Sequence, residues 1–151
     1  MLRICVEKWD KYKDRLKKAL KNDETLNSCN YKYLVELLVI HVLNTDGDKW
    51  NQSSITEIDD GDYQGTLLYL IPKDCYQPSE YEYLMTYAGY GSCDCCDTLQ
   101  EIQSYFDTKP TEDQINDYMS LCKDLLTNII NPYNSGWRYE ERFATVDNSE
   151  N

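Results

Sequence analysis

Apolar residues recur at three- and four-residue spacing in four stretches of the chain and at two-residue spacing in its middle. Between Cys5 and Lys21, Cys5, Trp9, Tyr12, Leu16, Ala19 and Leu20 share one helical face, with lysines and arginines mainly between them. That pattern predicts an amphipathic helix with a basic outer face, ended by Asn22-Asp23 and Asn27-Ser28. From Tyr31 to Leu43 the apolar face is so wide that a second helix, buried on several sides, is expected. His41, the single histidine, falls on that face and reads as a core residue. Thr98-Leu99-Gln100-Glu101 reads as a capping box in which Thr98 takes the amide of Glu101, with Leu99, Ile102 and Phe106 then turned inward. Thr111-Glu112-Asp113-Gln114 opens a fourth helix, along which Ile115, Tyr118, Met119, Cys122, Leu125, Leu126 and Ile129 repeat.

The middle reads as a sheet. Ser54–Ile58 is expected as a short strand, with a turn at Asp59-Asp60-Gly61-Asp62. Thr66–Ile71 is a strongly apolar strand stopped by Pro72, and Pro78-Ser79 is a further turn. Tyr81, Tyr83, Met85 and Tyr87 alternate with Glu82, Leu84, Thr86 and Ala88, the period of a strand. Sequential strands with short connections make an antiparallel meander. The expected fold class is therefore α+β: a three-stranded antiparallel sheet with two N-terminal and two C-terminal helices packed on it. Residues 1–146 are expected to form one domain, with Trp137, Tyr139 and Phe143 contributing to packing and residues 147–151 frayed.

Composition narrows the function classes. No apolar run approaches the length of a membrane span, and the N-terminus carries no apolar signal region, so an internal, reducing environment is expected. The seven cysteines, odd in number and irregularly spaced, do not read as a disulfide framework. The net charge of −12 is unevenly spread: residues 1–22 hold eight Lys or Arg against three Asp or Glu, and the remainder seven against 24. Most of the surface therefore repels nucleic acid and favours a partner with a basic surface, although acidity also serves solubility alone. Fourteen tyrosines supply rigid contact area with a polar tip, suited to interfaces and equally at home in half-buried strands. Glu57, Asp59, Asp60, Asp62 and Tyr63 are the candidate partner-binding residues.

One local constellation stands apart. Gly89-Tyr90-Gly91-Ser92-Cys93-Asp94-Cys95-Cys96-Asp97 lies between a predicted strand and a predicted helix, and its candidate residues are Tyr90, Gly91, Ser92, Cys93, Cys96 and Asp97. Four readings stay open. Cys93 and Cys96 make half a zinc signature, for which Cys75, Cys95, Cys122 or His41 would have to complete the set. The same pair suits thiol redox chemistry, but no βαβ unit precedes it, and Asp94 and Asp97 oppose a thiolate. A small-ligand or anion pocket on the Gly-Tyr-Gly-Ser turn is the third reading, and structural packing of small cysteines is the fourth. Asp59, Asp60 and Asp62 lack the spacing of a calcium loop. Neither a phosphate-binding loop nor a G-x-S-x-G or H-E-x-x-H motif occurs, so binding is expected rather than catalysis.

Gly61-Asp62-Tyr63-Gln64-Gly65-Thr66-Leu67, Tyr76-Gln77-Pro78-Ser79 and Tyr90-Gly91-Ser92-Cys93-x-x-Cys96-Asp97-Thr98-Leu99-Gln100 carry a resemblance. Over Ile55 to Gln103 the chain resembles a family of small bacteriophage and prophage proteins that share a glycine-serine-cysteine-x-x-cysteine-aspartate block. The resemblance implies a phage accessory role in the host cytoplasm and no defined chemistry. Together with the charge it leads to the expectation of an inhibitor of the anti-defence or anti-CRISPR type. Such a protein would engage a basic host macromolecule, such as a nucleic-acid-binding nuclease, without binding nucleic acid or membrane itself. The alternative is a small-ligand or zinc-binding protein using the Cys93–Cys96 turn.

Overall fold

Two helices, a three-stranded meander and two further helices follow one another in the computed structural model, which describes residues 3–45, 47, 49–61, 65–91, 97–103 and 109–132. Helix α1 spans Arg3–Lys21 and α2 spans Tyr31–Leu38, continued by a wider π turn over Val39–Leu43. Strands β1 (Thr56–Gly61), β2 (Gly65–Pro72) and β3 (Tyr83–Tyr90) form one antiparallel sheet in the order β1-β2-β3. Helices α3 (Thr98–Gln103) and α4 (Glu112–Thr127) complete the α+β fold. No described helix is long and apolar enough to cross a membrane.

Local chemistry explains the helix starts. Asn30 caps α2 by accepting the Tyr33 amide at 2.9 Å, and Thr111 caps α4 by accepting the Gln114 amide at 3.1 Å. Gln114 reaches back to the Thr111 amide at 3.0 Å, closing the box expected from sequence. Helix α4 then touches α1, α2, α3 and β3, and buries Ile115, Tyr118, Cys122 and Leu125 in the core. Polar groups drawn into this centre are paired with one another. The Asn27 amide donates to Gln114 Oε1 at 3.2 Å, Gln114 Nε2 donates to the Ile102 carbonyl at 3.1 Å, and the Tyr118 hydroxyl lies 2.9 Å from Asn27 Oδ1. Such pairing is what makes burial of amides tolerable.

The basic face expected of α1 has one exception. Lys8 is 3 % exposed because its ammonium donates to the Leu43 and Thr45 carbonyls at 2.5 and 3.1 Å. Leu43 ends the π turn and Thr45 lies just beyond it, so a cation there answers the negative end of the second helix. His41 lies on the π turn and is half-buried, short of the full burial expected of a core residue.

Register places Leu67, Tyr69 and Ile71 of β2 beside Ala88, Thr86 and Leu84 of β3, on the face that meets the helices. Thr86 donates to the Leu125 carbonyl at 2.6 Å and ties α4 to that face. On the other face Leu68 and Met85 are buried too, at 2 % and 4 % exposure, which explains why β2 reads as a continuous apolar run. The far edge of β3 is bridged by Ile130, whose N–H and carbonyl exchange 2.9 Å hydrogen bonds with Met85. All six residues of β1 are exposed.

Several expected boundaries move. The ladder continues through Asp59, Asp60 and Gly61, opposite Leu67, Thr66 and Gly65, so the expected turn at Asp59–Asp62 is strand as far as Gly61. Aspartates are tolerated there because an edge strand turns them into water. Ser54 belongs to a single 3₁₀ turn, Gln52–Ser54, and β1 starts at Thr56. Tyr81 and Glu82 lie in another 3₁₀ turn, Glu80–Glu82, held by Ser79, so β3 starts only at Tyr83. The expected contribution of Phe106 and of Trp137, Tyr139 and Phe143 to the core, and the fraying of 147–151, fall outside the described residues.

Candidate functional site

The stretch from Gly91 to Asp97 does join β3 to α3, but Ser92, Cys93, Asp94, Cys95 and Cys96 lie outside the described residues, as do Asp62 and Tyr63. Its two ends are described, and they are held together. Asp97 accepts the Gln100 amide on Oδ1 at 3.1 Å and the Gly91 amide on Oδ2 at 3.2 Å. Asp97 is thus the cap of α3, and the capping box expected at Thr98 is corrected: Thr98 is the first helical residue, and Glu101 bonds to the Asp97 carbonyl at 3.0 Å. A carboxylate beside the positive end of a helix is a stronger acceptor than the neighbouring hydroxyl.

Asp97 has a third partner, brought from a distant part of the chain. The Tyr31 hydroxyl donates to Oδ1 at 2.6 Å and itself accepts the Leu99 amide at 3.1 Å. Burial and the hydrogen bond to Asp97 push the Tyr31 hydroxyl well above its ordinary range. The first residue of α2 therefore locks the first turn of α3.

Two similar pairs stand on the sheet. Tyr69 of β2 donates to Glu57 Oε2 of β1 at 2.8 Å, and burial together with Glu57 raises its pKa far beyond the usual value. Tyr90 of β3, opposite Gly65 of β2, donates diagonally across β2 to Asp59 Oδ1 at 2.6 Å. Glu57 and Asp59 share a face because they are two apart on one strand. Of these groups, Tyr31, Glu57, Asp59, Tyr90 and Asp97 border an open cleft of about 530 Å³ between the β1 edge and α3, which Leu67, Leu99, Gln100 and Gln103 also line. Three carboxylates, Glu57, Asp59 and Asp97, line it, and no lysine or arginine does among the described residues. None of the three enters an ion pair among the described residues. Basic side chains gather elsewhere: Arg15 and Lys49 border a second cleft beside α1.

Of the sequence-selected residues, the structure thus brings Glu57, Asp59, Tyr90 and Asp97 into one cleft, with Gly91 held at its rim by Asp97. Asp60 points to the opposite sheet face, one residue out of step. Nothing local in the sequence marks Tyr31, Asn30 and Gln103 as cleft-lining: Tyr31 has the helical spacing of a core residue and is buried as one, while its hydroxyl reaches the cleft. The cysteines offered as further zinc ligands stand apart in kind: Cys122 is buried in α4 and Cys75 is exposed in the β2–β3 connection. Among the described residues no group of three or more His, Cys, Asp or Glu is arranged to hold a metal ion. No protein-family profile, curated protein or solved structure matches the chain.

Proposed function

We propose that the chain is a binding protein whose acidic, tyrosine-buttressed face, centred on β1 and its adjoining cleft, engages a macromolecule with a basic surface. The observation that carries this is the cleft itself: three carboxylates with no cation beside them among the described residues, two of them fixed by tyrosine hydroxyls at 2.6 Å and the third at 2.8 Å. Groups held in place in advance lose little freedom when a lysine or arginine docks against them. The tyrosine bonds also occupy only one oxygen of Glu57 and Asp59, leaving the other to an incoming cation. Clustered like charge speeds encounter with a basic partner, and salt weakens the effect. The resemblance to small phage proteins adds the kind of partner: a host nucleic-acid enzyme, inhibited because carboxylates occupy the basic groove made for phosphates.

Binding of a fluorescent oligo-arginine peptide at low and high salt tests the first step. Wild type should bind in a salt-dependent manner, and Glu57→Gln with Asp59→Asn should weaken binding about tenfold, since two exposed ion pairs supply roughly 1.4 kcal/mol together. Equal affinity for the wild type and the neutralised variant would remove the cleft from the function.

A further inference from the structure

The sheet has an open edge, and its chemistry is not neutral. Among the described residues β1 pairs only with β2, whereas the other side of the sheet is bridged by Ile130. Thr56 to Gly61 are exposed without exception, and none of them has a further hydrogen bond beyond those already described. In an antiparallel ladder alternate residues turn their N–H and C=O toward one neighbour and the rest turn outward, so about three residues of β1 present unpaired backbone groups to solvent. Side chains alternate in the same way. Glu57 and Asp59 face the cleft, and Ile58, 44 % exposed, faces the opposite side together with Asp60.

We infer that β1 is extended by a fourth strand supplied by a partner: an extended segment with Lys or Arg at alternate positions and a β-branched residue between them. This rests on the proposed binding role and adds its mode. The ladder supplies backbone hydrogen bonds, and the alternate side chains supply selectivity. Residues directly opposite one another across two strands have their Cβ atoms about 5 Å apart. Basic residues opposite Glu57 and Asp59 therefore reach the carboxylate oxygens that the tyrosines leave open. The residue between them meets Ile58 on the other face, where a β-branched side chain packs well. An acidic partner strand would set like charges opposite each other, which the same geometry penalises. The rival role for charge on this strand is protective, because charged edge strands discourage pairing with any other chain.

A labelled peptide alternating Lys and Val, compared with the same peptide methylated on every backbone nitrogen, separates ladder formation from charge attraction. The expected result is that the unmodified peptide binds, that methylation weakens it at least tenfold, as loss of about three ladder bonds requires, and that alternate amides of Thr56–Gly61 exchange more slowly in the complex. If the methylated peptide binds equally well, or the β1 amides exchange unchanged in the complex, strand addition is refuted while the acidic-face role survives. Binding of oligo-arginine without binding of the Lys-Val peptide would also refute it. Failure of both peptides would overturn the two proposals together.

Discussion

Asp97→Ala should destabilise the protein by about 3 kcal/mol, and the figure follows from the contacts of one carboxylate. The side chain accepts from the Gln100 amide at 3.1 Å, the Gly91 amide at 3.2 Å and the Tyr31 hydroxyl at 2.6 Å. Loss of the helix cap costs about 1 kcal/mol. The Tyr31 hydroxyl, on a residue 5 % exposed, loses its acceptor, a penalty of roughly 1–3 kcal/mol for a buried group. The Gly91 bond adds about 1 kcal/mol. Water entering the open cleft recovers part of this for the two amides, which brings the total down to about 3 kcal/mol. For a chain of this size each kcal/mol lowers the melting temperature by about 2–4 °C, so a fall of about 6–12 °C is expected.

Urea unfolding followed by tryptophan fluorescence gives the quantity directly. Asp97→Asn should cost less, about 1 kcal/mol, because its one oxygen still serves Tyr31 and Gln100 while its amide group opposes the Gly91 N–H. Combining Asp97→Ala with Tyr31→Phe should cost less than the sum of the two, with a coupling of about 1–2 kcal/mol, because each single change strands the other's partner. An Asp97→Ala protein within about 0.5 kcal/mol of wild type, the size of an ordinary surface substitution, would show that Asp97 does not join α2, β3 and α3.

Thiol reactivity and alkaline stability follow from burial in the same way. Burial raises the Cys5 thiol to about 11 and, with the nearby Asp23 charge, the Cys29 thiol to about 12, and it raises Cys122 further. Cys75 is exposed, so at pH 8 iodoacetamide should label it at least tenfold faster than those three, as thiolate access dictates; peptide mapping that finds the four labelled alike would contradict the packing. Tyr31 and Tyr69 ionise in the unfolded chain near the ordinary tyrosine pKa of about 10 but are held protonated in the folded one. Their contribution to stability is therefore complete below pH 10 and declines above it, by at most about 1.4 kcal/mol per pH unit for each group. Urea midpoints should fall between pH 9 and pH 11, and Tyr69→Phe should make that fall shallower; an unchanged slope would mean that Tyr69 is not buried against Glu57.

What the sequence shows and what it hides divide along the range of the interactions. The start of α4 is legible because Thr111 and Gln114 cap each other within one turn, a pairing that local sequence displays in full. The start of α3 was displaced by a residue. Asp97 and Thr98 are both good caps by type, and the choice between them is reinforced by Tyr31, 66 positions away. The sequence pattern ends strand β1 at Ile58 because Asp-Asp-Gly is a turn signal, and only its place at the sheet edge makes it a strand. In the sequence Glu57 and Asp59 stand out by charge, and Tyr90 and Asp97 by their place in a cysteine-rich turn. Their convergence depends on two ladder registers that no periodicity reveals. A one-residue slip of β1 against β2 would send Glu57 and Asp59 to the opposite face and dissolve the cleft. The hairpin closure guards against that slip: Gly61 stands opposite Gly65, where a Cβ would lie 2.3 Å from the Asp60 carbonyl oxygen, so only glycine permits the approach. The acidic residues acquire a common site through this glycine and the register it allows, which is why charge alone did not disclose it.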